Sequence, residues 1–331
     1  MYEEAERQDE QAVLRQDRKY FSRIGNRYFM GSFLIPMIQI VALVFLYTWV
    51  PERMSDFSFI FLANMLLMYL LGMPLMILII VCIRPQKVIC RRRMSVGQLI
   101  VAFIMSYAMI NIGNIAGNFL TAMIGSFIGT EVENSLVSVV NNTNLLMNFG
   151  LMVLCAPVLE EVIFRKILVD RIAVYGEGMA VFLSGLFFGL FHGNLNQFVY
   201  AFLLGMFFAF IYVKTGEIRY TIILHMLINF FGSIVSTWVL NTSGYEKMSG
   251  AYQNAPIGGM VLLAGYLLLL VGLTIAGVVL LIIYRKKFRL LPGERVIPKG
   301  KRFVTIMLNP GMLIFVLSNV AGILLQLMGG I

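Results

Sequence analysis

The chain has 331 residues, of which 59% are hydrophobic and 13% are charged, with a formal net charge of +9 at pH 7. Soluble domains have roughly 25% charged residues and about 45–50% apolar residues, and disordered chains combine low hydrophobicity with high charge. The composition therefore excludes both classes and indicates an all-α, polytopic membrane protein. In this class a basic excess follows from the charge asymmetry of the loops, so we expect no nucleic-acid partner.

Nine apolar segments approach the length of a transmembrane helix, which needs about 20 residues. They predict a helical bundle of about eight or nine spans. The segments are 31–50, 57–83, 98–128, 145–164, 178–192, 197–213, 220–240, 257–284 and 303–330. Around them we divide the chain into a charged N-terminal segment (1–28), N-terminal transmembrane helices (29–144), a core region (145–240) and C-terminal transmembrane helices (241–331). The N-terminal segment is interpreted either as a helix or as a disordered arm.

The basic residues indicate an orientation in the membrane. If the N-terminus is cytoplasmic, all but two of the 26 Lys and Arg residues fall on the cytoplasmic side, the exceptions being Arg53 and Lys247. This asymmetry follows the positive-inside rule. It predicts a multi-pass protein, most simply of the plasma membrane, with a cytoplasmic N-terminus. The basic stretches 84–93 and 285–302 are then expected to contact anionic lipids.

The segments 178–192 and 197–213 are shorter than the others. A helix of 15 residues is about 22 Å long, less than the roughly 30 Å of the hydrocarbon core. The turn between them, HGNLNQ, is polar. A polar turn below the membrane surface is tolerated only where protein or trapped water surrounds it. We therefore expect a buried helical hairpin near 178–213.

Cysteines and paired glycines have structural interpretations. Cys82, Cys90 and Cys155 form no CxxC pair, which argues against disulfides and thiolate metal sites and favours buried free thiols. Gly113 and Gly117 form a GxxxG pattern, which predicts close packing of two helices.

Three polar clusters interrupt the apolar segments. They are EEVIFR with Glu160, Glu161 and Arg165, FGLFH with His192, and HMLIN with His225 and Asn229. A charged residue at the bilayer centre costs about 2.5–3.5 kcal/mol, so such residues commonly have a function. Glu161 and Arg165 are spaced to pair on one helix face. Glu160 is rotated by about 100° from Glu161 and is left without that partner.

A glutamate, two histidines and an asparagine suit amide hydrolysis. A carboxylate with an imidazole takes a proton from water and returns it to the leaving amine, and imidazole and amide groups stabilise an oxyanion. A zinc site of Glu160, His192 and His225 is an alternative, although HExxH is absent. A proton relay in a transporter is another alternative. Spacing alone does not decide between them.

Depth in the membrane leaves one question open. Glu160 and His225 lie five and six residues from Arg165 and Arg219, or about 7–9 Å from the inner boundary. His192 lies about 20 Å along a straight helix from Gly178. The three side chains meet only if the helix 178–192 is tilted or begins below the inner boundary.

The order Glu-Glu-x-x-x-Arg, Phe-x-x-x-His and His-x-x-x-Asn, beginning at Glu160, Phe188 and His225, resembles the CAAX-protease and bacteriocin-processing family (CPBP or Abi family). This family includes the type II CAAX prenyl endopeptidases. The resemblance covers roughly 145–240, which would be the catalytic core.

The resemblance implies a glutamate-dependent intramembrane protease with no obligatory metal or other cofactor. Glu160 and His192 would activate water, and His225 and Asn229 would hold the oxyanion. Glu161 and Arg165 would support the site. The expected substrate is a peptide or the tail of a lipid-anchored or other membrane protein. The alternative is a non-catalytic immunity or scaffold protein, although the intact residue set argues against it.

Overall fold

The structure is a computed structural model that describes residues 2–129, 145–244 and 256–329. Within these residues the regular structure is helical, apart from one isolated bridge between Gly176 and Pro292. The main helices are α1 (Tyr2–Trp49), α2 (Phe57–Val81), α3 (Val96–Ile128), α4 (Leu145–Tyr175), α5 (Glu177–Phe191), α6 (Leu195–Thr215), α7 (Ile218–Ser243), α8 (Ile257–Lys287) and α9 (Pro310–Leu327). Among the described residues, eight of these are long and apolar enough to cross a membrane, and α5 is the shorter apolar helix. The predicted all-α polytopic bundle is confirmed.

The charged N-terminal segment is part of one continuous helix, α1, which extends from residue 2 into the first span. Phe21, Ile24 and Tyr28 are fully buried, and the Tyr28 hydroxyl donates to the carbonyl oxygen of Ile163 on α4 at 2.8 Å. Of the two interpretations, the helix is therefore correct, and the second half of the charged segment packs against the core of the bundle.

The predicted hairpin of α5 and α6 is buried in the bundle. More than half of the α6 span, 56%, is buried inside the protein, the largest share among the described spans. Helix α3 packs closely on α6 at the predicted glycine pair. A Cβ atom at Gly113 would lie 2.5 Å from the Cα of Tyr200, and one at Gly117 would lie 2.4 Å from the carbonyl oxygen of Asn196. Glycine is therefore required at both positions.

Three predictions need correction or fall outside the described residues. The segment 303–330 is not one span, because a short helix (Arg302–Ile306) ends before Asn309 and α9 begins at Pro310. The Asn309 side chain accepts from Met312 N at 3.0 Å and caps α9, and proline is favoured at the first helical position. All three cysteines are free, but Cys82 and Cys90 are exposed, because they lie at the end of α2 and in the following loop. Lys247 lies outside the described residues.

Two helices of the core region contain turns that are wider than an α-helix. In α4, π-helical turns at Phe149–Cys155 and Val162–Ile167 flank the α-helical stretch Ala156–Glu161. In α7, a π-helical turn at Phe230–Val235 follows Asn229 directly. Such turns change the direction of side chains along a helix and are frequent at functional sites. Here they border two of the three polar clusters, those on α4 and α7.

Candidate active site

Two adjacent glutamates of α4 have different surroundings. Glu161 and Arg165 are fully buried, and Glu161 Oε2 lies 3.0 Å from Arg165 Nε, which confirms the predicted ion pair. Glu160, which is 8% exposed, makes no contact of this kind with Arg165. The rotation of 100° between neighbours on a helix separates the two carboxylates.

The Arg165 guanidinium lies between two aromatic rings. Its central carbon is 4.3 Å from the ring centre of Phe188 and 5.5 Å from that of Phe208. None of its nitrogens has a well-aligned hydrogen-bond partner in the described part of the chain. The buried charge is therefore compensated by the Glu161 carboxylate and by the negative faces of the two rings.

His225 of α7 lies between both glutamates. Its Nδ1 is 2.9 Å from Glu161 Oε1, and its Nε2 is 3.7 Å from Glu160 Oε2. Because an ionised carboxylate only accepts hydrogen bonds, Nδ1 carries the proton and donates it to Glu161. Glu161 thus fixes the orientation of the ring, and the opposite nitrogen faces Glu160.

His192 follows the last residue of α5, where the chain reverses direction. Gly193 has a φ of +68°, in the left-handed region that favours glycine, and Asn194 Oδ1 accepts from Gln197 N at 2.9 Å to cap α6. His192 Nδ1 lies 2.8 Å from the carbonyl oxygen of Phe188. A carbonyl oxygen only accepts, so Nδ1 carries the proton, and the neutral ring keeps its lone pair on Nε2.

Phe188 connects the two histidines. Its ring meets the His192 ring edge-to-face at a centroid distance of 4.7 Å and the His225 ring at 5.7 Å. The structure therefore brings His192 beside the α4–α7 contact, in spite of its calculated distance from the inner boundary. Arg165 also rests on Phe188, so this ring touches three of the polar side chains.

Asn229 lies one turn beyond His225 on α7. Its Nδ2 donates to the carbonyl oxygen of Met152 on α4 at 2.8 Å. Met152 belongs to a π-helical turn. An asparagine amide has two N–H groups, so one remains for another acceptor. Asn229 contacts the α4 backbone rather than any other predicted site residue.

Two aromatic residues of the site were not found by sequence reasoning. The Phe208 ring centre lies 5.8 Å from that of His225, and the Tyr200 ring centre lies 6.3 Å from that of His192. Both belong to α6, whose sequence contains many aromatic residues. No spacing in that sequence distinguishes the rings that face the site from those that face other helices or lipid.

The alternative metal site is not assembled. The residues described here contain no group of three or more His, Cys, Asp or Glu side chains that could hold one metal ion. The predicted zinc ligands Glu160, His192 and His225 do not form such a group among the described residues.

Fold and site together define a polytopic helical membrane protein whose bundle encloses a carboxylate–imidazole centre. Residues 142–231 match the family model of the type II CAAX prenyl endopeptidases, Rce1-like. The match covers less than a third of the chain, and over this region the chain is similar to the CAAX proteases, which are peptide hydrolases. The match spans every predicted site residue from Glu160 to Asn229, and its first three residues lie outside the described part. No significant match was found among curated proteins or solved structures.

Proposed function

We propose that this protein is an intramembrane endopeptidase that hydrolyses a peptide bond in a membrane-associated peptide or in the tail of a lipid-anchored protein. The observation that carries the proposal is the position of His225 between two buried carboxylates, one of which is already neutralised by Arg165. Glu160 is thereby left for chemistry, as general acid–base catalysis requires.

Water activation is assigned to Glu160 and His192. Among the described residues the Glu160 carboxylate forms no ion pair with an arginine, and the lone pair on His192 Nε2 is available to accept a hydrogen bond from water. A proton taken from the attacking water would pass to the leaving amine as the carbon–nitrogen bond breaks. Glu160 is buried and His192 packs against the rings of Phe188 and Tyr200, and electrostatic interactions are stronger in such surroundings than in water.

Oxyanion stabilisation is assigned to His225 and Asn229. To donate from Nε2, His225 must carry protons on both nitrogens, and the neighbouring carboxylates of Glu160 and Glu161 would compensate that charge. Asn229 has one N–H beyond the one it donates to Met152. Removal of a single oxyanion donor typically lowers kcat by about 10²–10³-fold.

The proposed reaction needs no metal ion or other cofactor. Every assigned step uses a proton donor or acceptor of the chain, namely Glu160, His192, His225 or Asn229. We expect activity to persist after treatment with a strong chelator. Loss of activity on chelation, with recovery on addition of zinc, would contradict this part of the proposal.

A cleavage assay tests the central proposal. Wild type, Glu160→Ala and His192→Ala are compared at equal membrane levels on one reporter peptide, anchored either by a prenyl group or by a transmembrane helix. Glu52→Gln is the matched control, because Glu52 is an exposed carboxylate in the turn before α2. We expect loss of cleavage in both site variants and wild-type cleavage in the control. Full cleavage by either site variant would contradict the mechanism, and a cellular phenotype retained by both would favour a non-catalytic scaffold.

We also propose a cytoplasmic N-terminus and location in the plasma membrane, from the distribution of basic residues. The exposed Cys90 lies between α2 and α3, on the predicted cytoplasmic side. With Cys82 and Cys155 replaced by serine, an impermeant thiol reagent should label Cys90 only after cells are permeabilised. With Cys90 also replaced, a cysteine introduced by Ser55→Cys should be labelled in intact cells. The reverse pattern would contradict the orientation.

A further inference from the structure

A crevice of about 660 Å³ lies where α4 ends and α5 begins. Its walls are the start of α5, the chain segment 290–296 and residues 302–307. Most of the lining is apolar, including Met179, Phe182, Leu183, Leu291, Phe303 and Met307. Its volume falls within the roughly 300–1,000 Å³ that is typical of small-molecule sites. The crevice is separate from the candidate active site, because Phe182 and His192 are about 15 Å apart along α5.

The segment between α8 and α9 is held firmly against the start of α5. Leu291 N donates to Glu177 Oε2 at 2.8 Å, and Glu177 N donates to Leu291 O at 3.1 Å. Further along the same segment, Arg295 N donates to Val174 O at 3.0 Å. These three contacts give the crevice defined walls, so it is not merely a gap between loose segments.

Three acidic residues near the crevice are already paired, and Glu10 lies beside Lys301 in the adjoining surface crevice. Asp17 lies 2.7 Å from Arg295 Nε, Glu294 lies 2.9 Å from Lys87, and Glu177 pairs with Lys214. The remaining basic residues have no acidic partner among the described residues. They are Arg302, which lines the crevice, and the exposed neighbours Arg289, Lys299 and Lys301. Among the described residues, the mouth of the crevice therefore carries more positive than negative charge.

Arg302 is oriented by the protein. Its Nε donates to the carbonyl oxygen of Ile297 at 2.9 Å, which orients the side chain, and the described residues offer no acceptor to its two terminal nitrogens. A guanidinium group presented in this way matches the geometry of phosphate oxygens. The apolar walls beside it match a hydrocarbon chain.

We infer that this crevice binds an anionic phospholipid, with its phosphate at Arg302 and an acyl chain against Phe182 and Phe303. Basic pockets between helices at the membrane surface bind anionic headgroups. A phospholipid is favoured over the lipid anchor of a substrate because the crevice lies at the opposite end of α5 from His192. A bound lipid would tie the segment 290–296 to the helix that ends beside His192.

The test uses the full chain in detergent, titrated with phosphatidylglycerol or with phosphatidylcholine of the same acyl chains, and native mass spectrometry to count bound lipid. Wild type should bind phosphatidylglycerol preferentially. Arg302→Gln should weaken that binding about tenfold, as expected for loss of one charge-assisted contact. Lys286→Gln is the matched control, because it removes the same charge from an exposed residue outside the crevice. An equal loss of phosphatidylglycerol binding in both variants would overturn the inference, and so would equal binding of the two lipids by wild type.

A fluorescence measurement locates the acyl chain. The chain has only two tryptophans, so Phe303→Trp adds a reporter within the crevice, and wild type supplies the background. Phosphatidylglycerol with brominated chains should quench this reporter, and Arg302→Gln should remove the quenching. Absence of quenching would overturn the proposed position. Displacement of phosphatidylglycerol by a prenylated peptide would assign the crevice to a substrate anchor instead. None of these outcomes depends on cleavage activity.

Discussion

Glu161 contacts His225 and Arg165 with different oxygens of one carboxylate. Oε1 accepts from His225 Nδ1 at 2.9 Å, and Oε2 lies 3.0 Å from Arg165 Nε. The carboxylate is fully buried and joins α4 to α7. Glu161 therefore holds His225 in position beside Glu160 while neutralising a cation that has no other anionic contact in the described residues.

Glu161→Gln should lower both stability and activity. The amide oxygen still accepts from His225, but Arg165 loses its counter-ion, and breaking a buried pair in this way costs about 3–5 kcal/mol. We expect a lower unfolding temperature in detergent and a fall in kcat with little change in KM. The double variant Glu161→Leu/Arg165→Met should recover stability without activity, because it removes both charges together. A stable and fully active double variant would contradict the positioning role.

His192→Asn distinguishes the roles of the two ring nitrogens. Asparagine keeps a donor near the position of Nδ1, so the bond to Phe188 O is retained, but it has nothing at the position of Nε2. We expect a folded protein whose cleavage rate falls by about 10²-fold or more, within the range of general acid–base effects. Asn194→Ala, in the same turn, should cost about 1 kcal/mol of stability through loss of the α6 cap while cleavage is retained. If the two variants behave alike in the assay, His192 has only a structural role.

Asn229→Asp tests the amide donor. A carboxylate cannot donate to Met152 O, and it would repel the negative charge that develops on the substrate oxygen. We expect kcat to fall by about 10²–10³-fold. Ser233→Ala is the control, because its hydroxyl donates to Asn229 O at 2.6 Å and takes no part in the proposed reaction. Retention of most activity in Asn229→Asp would remove Asn229 from the oxyanion site.

Gly113→Ala and Gly117→Ala should destabilise the contact between α3 and α6. Each added Cβ would lie 2.5 Å or less from backbone atoms of α6, and forced overpacking costs about 1–3 kcal/mol. Gly97→Ala on α3 is the control, since no atom lies within 4 Å of its Cβ position. Unfolding of the three variants in detergent measures the difference. Equal stability of all three variants would show that close packing at Gly113 and Gly117 does not contribute to the free energy of unfolding.

Local features of the fold were predictable because they depend on neighbouring residues. Apolar length predicted the spans, and the short segment with a polar turn predicted the buried hairpin of α5 and α6. The spacing of Glu161 and Arg165 predicted their ion pair. The end of one helix before Asn309 and the start of α9 at Pro310 were not predicted. The residues on both sides are apolar, so counting the length of the apolar segment merged the two helices.

By itself, the sequence determined the membrane class, the helical composition and the small set of polar residues available for chemistry. Only the tertiary structure decided which of the adjacent glutamates orients His225, since the two residues of that contact are 64 positions apart. It also placed Phe188 between the two histidines, a contact that the sequence could not predict because His192 and His225 belong to different helices. Helix periodicity defines which residues share a face, whereas the tilt and packing of separate helices determine which faces meet.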